Sequence, residues 1–265
     1  MTSDYQTYST NDQLGRKIII PFPPKSIVSV VPSQTELLFD LGLAESILGV
    51  TWFCIHPQEA KSKTQVGGTK NLKVEKISSL NPNLIIANKE ENEKSQVEDL
   101  MSICPVWISD INDLPQALAM IESVGTMVNR KTDADVLVKA ITSQFNALIK
   151  IKKPLTVAYL IWRKPYMVAG VDTFINSMLQ LCGFTNAFKA DRYPLIDAAI
   201  LINANPDLVF LSSEPFPFTE KHIEEFKAIL PNVKVVLVDG EMFSWYGNRL
   251  LLAPGYFLSL SESLA

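Results

Sequence analysis

One plan, written twice, constrains this chain most. A short helical segment, Val74–Leu80, runs into the turn Asn81-Pro82-Asn83 and the apolar stretch Leu84–Ala87. A second, Ile196–Ala204, runs into Asn205-Pro206-Asp207 and Leu208–Leu211. Asparagine tolerates turn backbone and proline cannot continue a helix, so each dipeptide is a physical stop between helix and strand. Each copy is followed by another helical segment and a strand ending in aspartate: Val106–Ser109 before Asp110, and Val235–Val238 before Asp239. Strands alternating with helices at such spacings build parallel sheets through crossover connections. Between the copies lies the amphipathic stretch Thr132–Ile151, with Ala134, Val138, Ile141, Phe145 and Leu148 on one helical face. Thr132 or Asp133 is placed to cap its start, and Pro154 forbids its continuation. Roughly twenty residues at 1.5 Å each make a rod of about 30 Å. The expected architecture is α/β: two lobes with parallel sheets joined by a single long backbone helix.

The remaining elements follow in order. Residues 1–16 are polar and read as a disordered or loosely attached arm. A first core strand at 26–31 leads into a helix Gln34–Leu41, with Ser33 and Glu36 at capping-box spacing and Gly42 as its stop. Ile47–Val50 is a strand, and a helix begins near Pro115. Thr156–Ile161 and Tyr166–Ala169 are strands around Arg163-Lys164-Pro165. Thr173 caps a helix ending at Gly183, Glu220–Ile229 is helical, and a last helix spans about Arg249 to Leu260. The expected divisions are an N-terminal arm at 1–20, an N-terminal lobe at 21–128, the linking helix at 129–152 and a C-terminal lobe at 153–265.

A net charge of −4 and the lack of a basic stripe argue against a nucleic-acid partner. Three widely spaced cysteines make no disulfide framework. The apolar run Ile18–Ile20 is too short for a signal-peptide core or a membrane span, so residence in the cytoplasm is expected if Met1 is the native start. A chain that begins after a removed signal is the alternative.

Open parallel sheets bind ligands beyond the carboxyl ends of their strands. Facing lobes would bring Trp52–His56, Gly67–Asn71, Asn88–Asn92, Trp162–Tyr166, Ser212–Phe218 and Gly240–Gly247 to a shared cleft. Three of the four tryptophans lie in these loops, as do Phe53, Tyr166, Phe216, Phe218, Phe243 and Tyr246. Beside them stand Arg163, Lys89, Glu90, Glu91 and Glu214, a set suited to a flat, conjugated ligand with polar edges. Aromatics that merely plug the sheet ends are the alternative for any one of them. Catalytic readings are weaker. The chain has no G-x-G-x-x-G and no P-loop. Its two histidines are His56 and His222, the latter in an expected surface helix, and no His/Cys cluster promises a protein metal site. Cys54 beside His56 is either a thiolate pair or a buried cysteine under a loop histidine.

The segment Ile27–Leu38, reading IVSVVPSQTELL, resembles the opening of the bacterial helical-backbone metal receptors. These are the class III substrate-binding proteins of vitamin B12, haem and iron-siderophore ABC importers. The resemblance continues through Gly49-Val50, Glu75 with the Asn-Pro-Asn-Leu strand entry, Ala169-Gly170, Leu181–Phe188 and Asn205–Leu208, covering about residues 24–260. The B12-binding branch is the most similar. It implies a periplasmic location, two Rossmann-like lobes, a rigid linking helix, a ligand held between the lobes, and one exposed glutamate per lobe that docks onto the permease. Glu75 matches the first glutamate. Ala199 stands where the second is expected, with Asp197 the nearest acid, and Thr69 and Asn88 replace aromatic ligand contacts of that branch.

The resulting expectation is a monomeric, non-enzymatic binding protein for a metal chelate, whether corrinoid, haem or ferric siderophore, working in ABC-type import. Its ligand-binding residues are expected to be Trp52, Phe53, His56, Trp162, Arg163, Tyr166, Phe243, Trp245, Tyr246 and Arg249. The aromatic faces would stack on the chelate, Arg163 and Arg249 would pair with its anionic edges, and His56 is an axial-ligand candidate. The metal would arrive inside its chelate, so no protein-held metal and no covalent cofactor are expected. The alternative is a cytoplasmic cofactor-binding protein or enzyme using Cys54, His56 or Glu90 and Glu91.

Overall fold

The computed structural model describes residues 6–151 and 155–264. Two compact units result. The first comprises Met1–Asp110, Pro115–Ile141 and Tyr246–Arg249; the second comprises Ile111–Leu114, Thr142–Trp245 and Leu250–Ala265.

In the first unit the strands are β1 (Thr7–Asn11), β2 (Lys17–Pro21), β3 (Ile27–Ser29), β4 (Ile47–Val50), β5 (Thr64–Gln65), β6 (Gly67–Gly68), β7 (Asn71–Leu72), β8 (Leu84–Asn88) and β9 (Val106–Ser109). Its helices are α1 (Pro32–Asp40), α2 (Val74–Ser79), α3 (Lys94–Met101) and α4 (Leu114–Met127, whose first residue counts with the second unit). The main sheet is parallel throughout, in the order β5-β4-β3-β8-β9. That is the Rossmann order, and it puts the topological switch point between β3 and β8. Val28, Ile85, Ala87, Val106 and Ile108 come off these strands into one core with Val30, Ile77, Val97 and Leu100.

Residues 6–21 are not the loose arm expected from their composition. β1 and β2 pair as an antiparallel hairpin, and β2 alternates so that Ile18 and Ile20 are buried while Ile19 faces out. Asp12 organises the turn: its carboxylate accepts from the Leu14 and Arg16 amides and from the Arg16 guanidinium at 2.6–3.0 Å. Trp107 Nε1 donates to the Asn11 carbonyl, and the Gln13 amide donates to the Ile108 carbonyl. These local ties outweigh a composition typical of disorder.

α1 also differs from expectation. It starts at Pro32, where a missing N–H costs nothing, and no side chain caps it. Glu36 turns to Arg249 instead of closing a capping box, and Ser33 Oγ has no partner among the described residues.

The linking helix, α5, spans Lys131–Asn146, starting before Thr132 and ending five residues short of Ile151. Asp133 therefore sits in its first turn rather than at the cap. Ala134, Leu137, Ile141 and Phe145 form the buried face, while Val138 and Leu148 are half-buried. The helix stops because the chain turns after Phe145 and the Ile151 amide donates to the Cys182 carbonyl. Pro154, the expected breaker, lies outside the described residues. Gly125 of α4 lets α5 approach, since a Cβ there would lie 2.3 Å from Ala134 Cβ.

The second unit holds β10 (Thr156–Trp162), β11 (Tyr166–Val168), β12 (Thr185–Asn186), β13 (Leu195–Ile196), β14 (Leu208–Ser212) and β15 (Lys234–Val238). Its helices are α6 (Phe174–Cys182), α7 (Ala198–Ala204), α8 (Glu220–Ile229), α9 (Gly240–Ser244) and α10 (Ala253–Leu264). β12, β14 and β15 extend the sheet in parallel from β10, whereas β11 and β13 run antiparallel. The turn at Arg163–Pro165 is too short for a crossover, so β11 can only return antiparallel. α6 has the caps its sequence offers: Thr173 Oγ1 accepts from the Asn176 amide, and Gly183 closes it at φ 93°. The last helix begins at Ala253 instead of Arg249, because Asn248–Leu251 is a 3-10 turn held by the Arg249–Glu36 pair.

Candidate ligand-binding surfaces

In the first unit the chain leaves β4 at its carboxyl end and turns through Trp52 and Phe53, which are 51% and 56% exposed. The turn is tied down by the Trp52 amide on the Gly67 carbonyl at 2.9 Å. Gly68 is the floor under the rings: a Cβ there would lie 3.3 Å from Phe53 Cε2 and 3.6 Å from Trp52 Cε3. Lys73 Nζ sits 5.6 Å from the Trp52 ring centroid. Beneath the turn Cys54 is buried, with Sγ 3.2 Å from both Thr35 Oγ1 and Thr51 Oγ1. Burial pushes its thiol up from the ordinary value, the reverse of an activated nucleophile. His56 is half-buried beside it in sequence.

The switch point of this sheet is occupied by amide side chains. Asn92 Nδ2 donates to the Val30 and Thr69 carbonyls, Asn88 Nδ2 reaches Ser109 Oγ at 2.9 Å, and Asn88 Oδ1 accepts from the Glu90 and Glu91 amides. Gln34 Nε2 meets the same Ser109 hydroxyl. Asn88 is thus a buried scaffold residue.

Tyr246 and Arg249 belong to this unit although they come late in the chain. Tyr246 Oη donates to Glu91 Oε1 at 2.7 Å. Arg249 grips Glu36 through Nε and Nη2 at 2.9 and 2.7 Å, a bidentate pair with both side chains largely buried. Gly247 lets the segment lie down, since a Cβ there would be 3.0 Å from the Ser33 carbonyl oxygen. The expectation that Arg249 offers its guanidinium to an anionic ligand edge therefore meets a carboxylate already in place.

In the second unit Trp162 ends β10, 41% exposed, with its ring edge-on to Phe216 at 5.8 Å. Arg163 and Tyr166, expected at the ligand, converge on Glu225 of α8. Arg163 Nε and Nη2 lie 2.8 Å from Oε2, and Tyr166 Oη donates to Oε1 at 2.6 Å. Partial burial works against the Glu225 charge, but these donors outweigh it and hold the carboxyl below its ordinary range. Burial, reinforced by the Glu225 contact, pushes the Tyr166 phenol up to about 12.

Phe243 presents no open ring face. It is fully buried among Tyr159, Phe210, Tyr256 and Phe257, because α9 turns that position into the core. Trp245 is 6% exposed, and its Nε1 donates to Glu214 Oε1 at 2.9 Å; Ser244 Oγ donates to the same oxygen. Burial raises Glu214 above the usual carboxylate value despite those two donors. His222 is not a surface residue either: its Nδ1 accepts from the Thr219 amide at 2.9 Å, closing a capping box, and its ring packs edge-on to Phe216 and Phe218.

Ten residues were expected at the ligand. Of these, Trp52, Phe53 and Trp162 keep broad aromatic faces open, while Arg163, Tyr166, Trp245, Tyr246 and Arg249 carry polar contacts to glutamates. Glu36 and Glu225 went unnoticed as partners, since no local pattern links either to its arginine. Among the described residues no group of three His, Cys, Asp or Glu could hold a metal ion.

Glu75 is exposed in the first turn of α2, over a groove of about 380 Å³ lined by Leu72–Lys76. Ala199 and Ile200 are exposed on α7, and the Asp197 carboxylate is spent on the Ile200 amide as the cap of that helix.

The family model described as periplasmic binding protein matches residues 27–230. The chain belongs to the periplasmic binding protein family. An ABC transporter substrate-binding lipoprotein of Bacillus subtilis, YvrC, is 31% identical over 214 residues, 75% of this chain and 67% of the relative. The vitamin B12-binding protein of Pectobacterium carotovorum is 24% identical over 250 residues, 91% of this chain and 90% of the relative. Among solved structures, the periplasmic haem-binding protein RhuT from Roseiflexus sp. RS-1 superposes with a TM-score of 0.79 at 20% identity. The periplasmic vitamin B12-binding protein BtuF of Vibrio cholerae does so at 0.75 and 20%. Both matches cover 91% of this chain and 99% of the other, and they establish the two-lobed α/β fold of periplasmic binding proteins.

Proposed function

We propose that this chain is the substrate-binding protein of an ABC importer and that its ligand is a metal chelate. The single observation that carries the reading is the match to substrate-binding and vitamin B12-binding relatives over most of the chain. The open aromatic faces support it, because Trp52, Phe53 and Trp162 stand at the carboxyl ends of their sheets, where a flat conjugated ligand gains most from stacking. These three are the contact residues proposed, with His56 as an axial-ligand candidate and Glu75 as a permease contact. The compartment proposed is that of the relatives, periplasmic or lipoprotein. Among the described residues no helix is long and apolar enough to cross a membrane. The enzyme alternative is not favoured: the relatives are described as binding proteins, and the Cys54 thiol is held protonated by burial.

Isothermal titration with cobalamin, haemin and ferric siderophores tests this directly. Saturable 1:1 binding of one of them is expected, weakened about tenfold or more in Trp52→Ala and in Trp162→Ala, the order of 1.4 kcal/mol. Glu75→Ala should leave that affinity unchanged and lower uptake in cells. No binding by any chelate would overturn the reading.

A further inference from the structure

α8 of the second unit opens on a histidine where a capping box ordinarily carries glutamate or glutamine. His222, the third residue of the helix, is nearly enclosed, and its Nδ1 lies 2.9 Å from the Thr219 amide nitrogen. A backbone amide can only donate, so this ring nitrogen is the unprotonated one. The same ring packs edge-on against Phe216 and Phe218, with centroids 5.4 and 5.5 Å away. Phe216 in turn stands edge-on to Trp162 at 5.8 Å, and its amide donates to the carbonyl of Ile161, the residue before that tryptophan. A continuous run of contacts within one unit therefore leads from a helix cap to the open indole.

We propose that His222 is a positioning residue that makes Trp162 sensitive to protons: the unprotonated ring holds the indole in place, and protonation loosens it. This rests on Trp162 as a ligand contact and adds a pH dependence to it. Histidine is the side chain that ordinarily changes charge between about pH 5 and 8. A proton on Nδ1 sets N–H against N–H, and the Thr219 amide loses its acceptor. The Thr219 hydroxyl, 3.2 Å from Nδ1, can accept from the protonated ring but leaves that amide unmet. The enclosed imidazolium also lacks water, so it is driven outward, away from Phe216 and Phe218. Glu225, three residues on, attracts it, but that carboxylate is already engaged by Arg163 and Tyr166. Glu220, Lys221, Glu224 and Lys227 lie on the exposed side of α8, and Glu214 of the preceding loop is turned to Ser244 and Trp245. The cap is thus complete at the upper end of that pH range and is lost as pH falls through the ring's titration.

Proton–nitrogen correlation spectra of the ligand-free protein, taken from about pH 8 to about pH 5, test this, with the Trp162 indole signal assigned by its loss in Trp162→Phe. The Thr219 amide and the Trp162 indole should move together, at the midpoint of the His222 ring. In His222→Gln the side-chain oxygen can still accept from the Thr219 amide but does not titrate, and the indole should stay still. In Phe216→Leu the His222 ring should still titrate while the indole no longer follows. An indole that does not move in the parent, or that moves as far in His222→Gln, would overturn the inference. One that tracks His222 unchanged in Phe216→Leu would overturn the route through Phe216. Calorimetric titration with cyanocobalamin adds the ligand: parent affinity should fall about fivefold or more across this range, while His222→Gln should match the parent at the upper pH and change less than about twofold. Equal falls in both proteins would overturn the coupling to ligand. No cyanocobalamin binding at any pH, with the indole still following His222, would remove the corrinoid from the chelate reading and leave the coupling standing.

Discussion

α2 with β8, and α7 with β14, are the same device built twice. In each a short helix ends at an asparagine in the left-handed region, Asn81 at φ 49° and Asn205 at φ 43°, before a proline that is buried as the next strand begins. Each strand then sits inside a parallel run of its own sheet. The outward faces differ. α2 shows Glu75 and Lys76, whereas α7 shows Ala199, Ile200 and Ile202, the two isoleucines 45% and 48% exposed. The units diverge again in their arginines. Arg249–Glu36 of the first is nearly shut from water, while Arg163–Glu225 of the second keeps about a quarter of each side chain exposed. The two units share what backbone sterics demand and differ in the charge their surfaces carry.

The largest test of that divergence is to cut one arginine pair in each unit. Glu36→Ala leaves the Arg249 charge in a buried site, and urea unfolding should show a loss of about 3–5 kcal/mol. Glu225→Ala leaves Arg163 able to turn to water, and its unfolding midpoint should stay within the scatter of ordinary surface substitutions. Equal losses would show that the two pairs do the same structural job and that the exposure difference is immaterial.

What was legible in the sequence was legible because it is local. The Asn-Pro stops, the Thr173 and Gly183 caps of α6 and the strand runs are each set by neighbours a few residues apart. The antiparallel return of β11 was missed because strand direction depends on the tightness of a three-residue turn, and apolar runs read alike in either direction. The site was less legible for a sharper reason. Arg163 and Glu225 are 62 residues apart, and Arg249 and Glu36 are 213 apart. An arginine in a ligand-facing loop looks available until the fold supplies its partner. Phe243 likewise reads as a loop aromatic, and only the turn of α9 sends it into the core. Trp52, Phe53 and Trp162 read from the sequence in the same way as Phe243, and the fold leaves them 51%, 56% and 41% exposed, so the same local signal is right for these three and wrong for Phe243.

The shared part of the comparison has a test of intermediate size. Valine is β-branched and strongly disfavours positive φ, so Asn81→Val and Asn205→Val should each cost about 1–3 kcal/mol, with similar values in the two units. Asn→Gly at either position should change unfolding free energy by less than about 1 kcal/mol, since glycine takes the left-handed region freely. A large loss at one asparagine and none at the other would mean that the Asn-Pro device is needed in only one unit.

The smallest effect lies within the second unit, where two glutamates are shifted in opposite directions. Glu225 is held below its ordinary value because the bonds from Arg163 and Tyr166 outweigh its partial burial. Its contribution is therefore complete above the unfolded-state value, about pH 4.3, and is lost as pH falls through the folded one. Glu214 is raised by burial, so its contribution is complete below the unfolded-state value and is lost as pH rises through the folded one. Glu225→Gln should accordingly lose stability relative to the parent as pH climbs from strongly acidic to neutral, whereas Glu214→Gln should gain over the higher part of that range. Urea midpoints measured at closely spaced pH values would read both trends. Parallel trends would mean that the Ser244 and Trp245 bonds to Glu214 outweigh its burial, and that Glu214 is a second charge-holding anchor like Glu225.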